Sequence, residues 1–169
     1  MKILIIHNKY GKFSGEEAVV ESQIQLLRKN GHVVITYFRS SEELEVISMP
    51  KLKAFFTAFY NPKSVSELKR ILFTEKPDLV HVHNLYPLIS PSILPIIKKM
   101  DIPIVMTVHN YRLICPNGLF FSNGEICEKC TKLSKEMNCI TKNCEDSLFK
   151  STGYALRNFW ARIKKFYLN

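Results

Sequence analysis

Histidine and asparagine side chains follow three apolar stretches of the sequence, each of which is typical of a buried strand. Imidazole and amide groups both donate and accept hydrogen bonds, and imidazole also exchanges a proton near neutral pH. Ligands of open parallel sheets bind beside the carboxyl ends of the strands. The pattern therefore predicts a ligand site at one sheet edge, although each histidine alone is also consistent with an ordinary hydrogen-bonded strand end. The residues are His7 and Asn8 after the first stretch, His81, His83 and Asn84 at the end of another, and His109 and Asn110 after the last.

A short loop over residues 11–15 leads from the first apolar stretch into a helical pattern. Ser14 and Glu17 have the spacing of a capping box, in which each side chain accepts from a free backbone N–H of the first turn. The N–H groups of a helix start favour an anion, and glycine lets a ligand approach the backbone closely. The loop has neither the Gly-x-Gly-x-x-Gly nor the Walker pattern, and its two adjacent glutamates favour simple capping. Ser14 and Gly15 are nevertheless candidate ligand-binding residues.

Four of the five cysteines lie close together, in a segment over about residues 109–146 that lacks any periodicity. A two-residue gap such as that in Cys-Glu-Lys-Cys lets both thiolates reach one zinc ion, and a closed set of four thiolates leaves no position for catalysis. An irregular loop gains folding energy from such an ion. The pattern predicts a structural zinc site, with buried packing or disulfides as the alternatives. The predicted ligands are Cys127, Cys130, Cys139 and Cys144, with Cys115 as an alternative fourth ligand.

Strands that alternate with helices must position these residues. Continuous apolar runs predict strands, and apolar residues at helical spacing predict the helices between them. This alternation predicts an α/β fold: a Rossmann-like parallel sheet with helices on both faces. The predicted strands cover residues 2–6, 33–38, 78–82 and 104–108. The predicted helices lie at residues 14–31, between 40 and 61, and at 64–75, 91–100 and 147–168.

The composition excludes several classes of protein. No run of about 20 apolar residues is present to cross a membrane, and the first residues lack the pattern of a secretory signal. We therefore expect a cytoplasmic protein. The formal charge of +9 favours an anionic partner, but the basic residues are spread along the chain without a nucleic-acid-binding motif.

Several motifs in series resemble those of group 1, or family 4, glycosyltransferases. Ser-Gly-Glu-Glu at residues 14–17 is similar to their Gly-Gly-x-Glu loop, and Lys-Asn-Gly-His-Val at 29–33 to the boundary after the following helix. Pro-Asp-Leu-Val-His-Val-His-Asn at 77–84 resembles their Pro-Asp-x-x-His-x-His strand. Pro-Ile-Val-Met-Thr-Val-His-Asn at 103–110 resembles their Pro-x-x-x-Thr-x-His strand, and the likeness continues through residue 118.

The resemblance implies one half of a two-domain GT-B architecture, with residues 1–169 as the amino-terminal, acceptor-side domain. Gly15 would lie near the donor diphosphate, and His109 would be the catalytic histidine beside the transferred sugar. Ser14 replaces the first glycine of the family's loop. Such an enzyme moves a sugar from a nucleotide-sugar donor to a glycan or lipid-linked acceptor with retention of configuration, and needs no catalytic cofactor. By the same likeness, the donor-binding carboxy-terminal domain is missing, the chain alone is inactive, and the pathway is cell-surface polysaccharide synthesis.

Two other functions are consistent with parts of the sequence. A zinc-stabilised, basic nucleic-acid-binding protein would account for the charge and the cysteines, but the missing binding motif argues for no nucleic-acid partner. A nucleotide-binding redox module would share the fold, but the sequence lacks the glycine fingerprint of such a module.

Basic and aromatic residues are interleaved over residues 51–59 and 149–167. This pattern predicts peripheral contact with the inner face of a membrane, with packing into the core as the alternative.

Overall fold

The computed structural model of the chain describes residues 1–11, 14–44, 49–132 and 135–167. The chain divides into two compact units, residues 1–109 and residues 110–169. The first unit holds the polar strand ends and the second unit holds all five cysteines. Each unit is described below by itself.

A four-stranded parallel sheet forms the centre of the first unit, with the strand order β2-β1-β3-β4. The fold class that the sequence predicts is therefore confirmed: a mixed α/β domain with a Rossmann-like parallel sheet flanked by helices. Two strands run further than predicted at their polar ends, and the third and fourth are shorter. The strands are β1 (Lys2–Lys9), β2 (Val33–Ser40), β3 (Leu79–Val82) and β4 (Ile104–Met106).

Two of the four helices that the structure describes in the first unit begin at a residue whose side chain caps them. The side chain of Ser14 accepts from the N–H of Glu17 at the start of α1, and that of Asn61 accepts from Lys63 and Ser64 at the start of α3. The predicted helix at 91–100 is split into a 3₁₀ turn at Pro91–Ile93 and a short α-helix. The helices are α1 (Gly15–Lys29), α2 (Pro50–Phe59), α3 (Pro62–Glu75) and α4 (Leu94–Lys98).

Both faces of the central strand β1 are covered. Side chains alternate between the faces of a strand, so Ile3 and Ile5 lie on one face and Leu4 and Ile6 on the other. Ile3 and Ile5 pack in a cluster with residues of α1, and Leu4 and Ile6 are fully buried as well. Burial on both faces explains why this part of the sequence is continuously apolar instead of alternating.

The second unit has short elements where the sequence predicts an irregular segment. β5 (Phe121–Ser122) and β6 (Glu125–Ile126) form a small antiparallel pair, followed by α5 (Asn138–Thr141) and α6 (Leu148–Ile163). Ser147, the first residue of the predicted helix, caps α6, but the helix ends at Ile163, and Leu168 lies outside the described residues.

Two side chains of α6 hold the irregular part of the second unit. Arg157 donates to the carbonyl oxygen of Pro116 over 3.0 Å, and Asn158 donates to that of Arg112 over 2.7 Å. Both of these α6 side chains are buried. In the part of the chain that the structure describes, no helix has both the length and the apolarity to cross a membrane.

Candidate functional site

The order of the strands places the ends of β1 and β3 at the topological switch point of the sheet. The chain leaves β1 for β2 on one side and then returns across β1 to β3 on the other. Ligands of doubly wound sheets bind in the crevice that opens at such a point, beside the carboxyl ends of the strands. His7 and Asn8 lie in the last three residues of β1, and His83 and Asn84 follow β3. The structure therefore brings these predicted residues together.

Asn8 and Asn84 fix the backbone around the switch point. The Oδ1 atom of Asn8 accepts from the N–H of Leu88 over 3.0 Å. The side-chain amide of Asn84 donates to the carbonyl oxygens of Asn8 and Tyr86, and its Oδ1 accepts from the N–H of Tyr86. Asn84 is buried, and its amide group is used within the fold. It shapes the site, and its predicted contact with a ligand stays a prediction.

Three histidines form a stacked column at the carboxyl ends of β3 and β4. The ring centroids of His81 and His83 lie 4.4 Å apart, and those of His83 and His109 lie 5.1 Å apart. Nδ1 of His83 and Nε2 of His109 are hydrogen-bonded over 2.9 Å, and Nε2 of His81 is bonded to Oγ1 of Thr107 over 2.8 Å. His109 is partly exposed, whereas His83 is buried. The exposed end of the column, His109, is the part that a ligand can reach.

Two rings of the column, His81 and His83, are held in their uncharged form. Burial, followed by the neighbouring imidazoles of His81, His109 and His7, lowers the pKa of His83 from 6.5 to about 3. Burial and the nearby His109 also lower the pKa of His81. A neutral imidazole has one donor and one acceptor nitrogen, so His81 and His83 each donate through one ring nitrogen and accept through the other.

His7 lies beside the column without a hydrogen bond to either ring nitrogen from the described residues. Its ring meets those of Phe38 and His83 edge-on, with centroids 6.0 Å and 6.1 Å away. Burial, then His109 and Lys9, lower the pKa of His7 to about 4. His7 thus acts as a neutral, packed ring.

The start of α1 is tied to the end of β1. Ser14 caps the helix as predicted, but Glu17 does not complete a capping box. Instead, the carboxylate of Glu17 accepts from the backbone N–H of Tyr10 over 3.1 Å, which anchors the loop after β1. Apart from its chain neighbours and the backbone of its own helix, a side-chain carbon added at Gly15 would meet no atom of the described residues within 4 Å. The space around Gly15 fits the prediction that a ligand approaches there; residues 12 and 13 lie outside the described part.

Asn110 belongs to the second unit and has a structural role there. Its Oδ1 accepts from the N–H of Arg112 over 3.0 Å and so caps the 3₁₀ turn at Tyr111–Leu113. Gly118 packs against the same side chain: its φ is +80°, and an added carbon would lie 3.3 Å from Oδ1 of Asn110. These contacts give Asn110 and Gly118 a structural role within the second unit. Ligand binding by Asn110 stays a prediction.

The five thiols of the second unit act on one another electrostatically. Burial, then Cys115, Cys144 and Cys127, raise the pKa of Cys130 to about 11. Burial and Cys144 likewise raise the pKa of Cys139. All five cysteines are free thiols, and among the described residues no three metal-binding side chains are arranged to hold an ion. The predicted zinc site therefore stays a prediction.

Thr107 is a site residue that sequence reasoning missed. Its N–H donates to the carbonyl oxygen of Val82 over 2.9 Å, and its hydroxyl bonds His81. It thus joins β3 to the segment that leads to His109. The signal in the sequence is its place two residues before His109, within the strand motif.

Comparisons with known proteins agree with the α/β fold class. An uncharacterized 42.6 kDa protein in the cps region of Klebsiella pneumoniae is 26% identical over 152 residues, which cover 73% of this chain and 40% of that protein. The chain thus spans less than half the length of this curated relative. No solved structure matches the chain. The family model "Glycosyltransferase Family 4" matches residues 13–125, more than half of the chain, and the chain therefore belongs to glycosyltransferase family 4.

Proposed function

We propose that this chain takes part in moving a sugar from a nucleotide-sugar donor to a glycan or lipid-linked acceptor. The observation that carries the proposal is the partly exposed His109 at the carboxyl edge of a family 4 domain, backed by a buried imidazole 2.9 Å away. The transfer retains the configuration of the sugar, as the resemblance implies. Cell-surface polysaccharide synthesis is the proposed pathway, and the relative in a cps region supports it.

Two parts of the domain would share the chemistry. Sugar transfer develops negative charge on the leaving phosphate and positive charge on the sugar ring. The first turn of α1 begins at the unobstructed Gly15, and the N–H groups of a helix start stabilise an anion there. His109 would orient the sugar by a hydrogen bond. No step in this scheme requires a catalytic metal or cofactor.

The donor is held mainly by sequence outside these 169 residues. The chain covers 40% of the relative from Klebsiella pneumoniae, which leaves room in that protein for a second domain of similar size. In the proposed enzyme, that domain supplies the groups that grip the nucleotide. The 169-residue chain alone is then expected to bind nucleotide-sugars weakly and to transfer no sugar.

Thermal protection separates the proposed function from its competitors. The complete protein is heated with UDP-sugars or GDP-sugars, with NAD, or with single-stranded oligonucleotides. Nucleotide-sugars are expected to raise its melting temperature, and labelled sugar from the stabilising donor is expected to enter a lipid or glycan fraction. Protection by NAD or oligonucleotides alone would contradict the proposed function. Sugar transfer by the 169-residue chain alone would contradict only the need for a second domain.

His109→Ala tests the proposed catalytic residue in the complete protein. The loss of a hydrogen bond made at the reacting sugar lowers kcat by about a hundredfold or more. His32→Ala is the matched control, because His32 bonds the N-terminal amine at the opposite end of the strands. Unchanged kinetics in His109→Ala would reduce His109 to a structural residue.

A further inference from the structure

The bond between His83 and His109 fixes which nitrogen of each ring carries a proton. Nδ1 of His83 and Nε2 of His109 lie 2.9 Å apart, so one of them donates and the other accepts. If Nδ1 of His83 donates, Nε2 of His109 is the acceptor and the proton of His109 is on Nδ1. If Nε2 of His109 donates instead, the proton of His83 must be on its own Nε2.

Burial of His83 distinguishes between these two states. The side chain is 2% exposed, and its Nε2 has no hydrogen-bond partner among the described residues. A proton on this nitrogen would create a buried N–H without an acceptor. Orphaned buried N–H groups are rarer in proteins than unsatisfied acceptors, and the donor loses its hydrogen bond to water on burial. The state in which Nδ1 of His83 donates avoids this cost.

We infer that His83 is a positioning residue: it donates from Nδ1 to Nε2 of His109 and so holds His109 in the tautomer with its proton on Nδ1. His109 then offers a hydrogen-bond donor to its ligand and has no free basic nitrogen. The inference rests on the proposed function only for the nature of that ligand. It predicts an acceptor atom opposite Nδ1, such as a sugar hydroxyl or a phosphate oxygen.

The surrounding contacts favour the same state. The ring of His83 stacks between the rings of His81 and His109, and this stacking limits rotation of the His83 imidazole. Nε2 of His81 is bonded to the hydroxyl of Thr107, so His81 does not compete for Nδ1 of His83 through that nitrogen. The low pKa of His83 keeps it neutral, which leaves it with a single proton to place.

Nitrogen NMR of the imidazole rings tests the inference on the 169-residue chain. With ¹⁵N-labelled histidine at neutral pH, we expect Nδ1 of His109 to carry the proton and Nε2 to have the shift of an unprotonated nitrogen. His83→Asn should preserve this state, because the asparagine amide nitrogen stands close to the place of Nδ1 and still donates. His83→Phe keeps the ring shape but removes the donor, and it should shift His109 towards the Nε2–H tautomer that solvated imidazole favours.

Several outcomes would overturn the inference. If the proton of His109 lies on Nε2 in the wild-type chain, the inference is wrong. This outcome requires no variant, so the test still works if His83→Phe fails to fold. An unchanged tautomer in a folded His83→Phe chain would overturn the inference as well. His32→Phe is the control, and it should leave the signals of His109 where they are, because His32 lies outside the column and bonds the N-terminal amine.

Kinetics of the complete protein separate this inference from the proposed function. His83→Phe should lower kcat about tenfold with little change in KM, since one oriented hydrogen bond is lost, and His83→Asn should restore most of it. If no sugar transfer is found but the tautomer is as expected, the proposed function fails and the inference about His83 stands. If transfer is found and His83→Phe is fully active, the inference fails alone.

Discussion

The side-chain amide of Asn84 donates a 3.1 Å hydrogen bond to the carbonyl oxygen of Asn8, so the ends of β3 and β1 are joined by a side chain beyond their backbone ladder. The N–H of Asn8 returns a 2.8 Å bond to the carbonyl oxygen of Asn84. These reciprocal bonds hold the two strand ends at a fixed distance. The arrangement of the strand ends at the switch point is therefore set by the fold before any ligand arrives.

Asn84→Ala should destabilise the chain by about 2–3 kcal/mol, because it removes the buried hydrogen bonds of this side chain to backbone groups of Asn8 and Tyr86. Urea unfolding followed by circular dichroism measures the change. Asn30→Ala is the control: that side chain is exposed at the end of α1 and should cost well below about 1 kcal/mol. Unchanged stability together with lost nucleotide-sugar binding would instead make Asn84 a ligand contact.

His7 should make the chain less stable as the solution becomes acidic. Its pKa is lowered in the folded state to about 4, whereas the unfolded chain takes up a proton near 6.5. Between these pH values the unfolded state binds more protons, so the free energy of unfolding falls as the pH falls. The difference corresponds to about 3 kcal/mol below pH 4, and His83 adds to the loss in the same direction.

Thermal unfolding of His7→Phe between pH 7.5 and 4.5 measures the contribution of His7. We expect the melting temperature of the wild type to fall steeply below about pH 6.5 and that of the variant to fall less, since phenylalanine cannot be protonated. His32→Phe should behave as the wild type does. If the melting temperatures of all three proteins fall in parallel as the pH is lowered, protonation of His7 does not destabilise the folded chain.

Gly11→Ala should lower the stability of the fold, whereas Gly15→Ala should weaken ligand binding without lowering stability. Gly11 has φ +85°, and an added carbon would lie 3.0 Å from Cγ of Glu42, so we expect a loss of about 1–2 kcal/mol. Gly15 has no such contact and should fold as the wild type does. In the complete protein, Gly15→Ala should reduce protection by nucleotide-sugars. Full protection would place the ligand away from Gly15.

The predicted zinc is measured by mass spectrometry on chain purified without chelator. We expect about one equivalent, which deprotonated thiolates bind with the release of their protons. Cys139→Ser should abolish binding, and Cys115→Ser should preserve it if the four cysteines from Cys127 to Cys144 are the ligands. Less than a tenth of an equivalent of any transition metal, with five titratable thiols, would rule the site out.

Contact with an acidic membrane surface is predicted for α2. Phe56 is 60% exposed, and Lys51 and Lys53 are exposed on the same helix. Flotation of the chain with anionic liposomes at low salt is expected, and Phe56→Glu should reduce it at least severalfold. Phe73→Glu is the matched control, because Phe73 is 75% exposed on α3. Absence of flotation in the wild type would remove the prediction.

The sequence predicts the order and type of the elements because local signals are strong. Buried parallel strands need continuous apolar runs, and Ser14 and Ser147 carry the capping signal at the starts of α1 and α6. The strand ends are less predictable. β1 continues through polar residues to Lys9 because each of them pairs with β2, as Asn8 does with Arg39. Such pairing depends on the partner strand and leaves no periodic signal.

The place of the histidines at the sheet edge was predictable, but their contacts were not. The spacing of the histidines places them at one sheet edge, but the bond from His83 to His109 depends on how β3 and β4 are aligned. The role of Glu17 was mispredicted for the same reason, because its carboxylate accepts from the N–H of Tyr10 and not from the expected N–H at the helix start. Contacts between elements are set by packing, which one sequence does not encode locally.

The strand β4 has a consequence for handling the protein in solution. Among the described residues it pairs with β3 alone, and Val105 at its centre is 46% exposed. An uncovered edge strand offers unpaired N–H and C=O groups to any other extended chain. We therefore expect the 169-residue chain to self-associate as its concentration rises, and a lysine in place of Val105 to keep it monodisperse in light-scattering measurements.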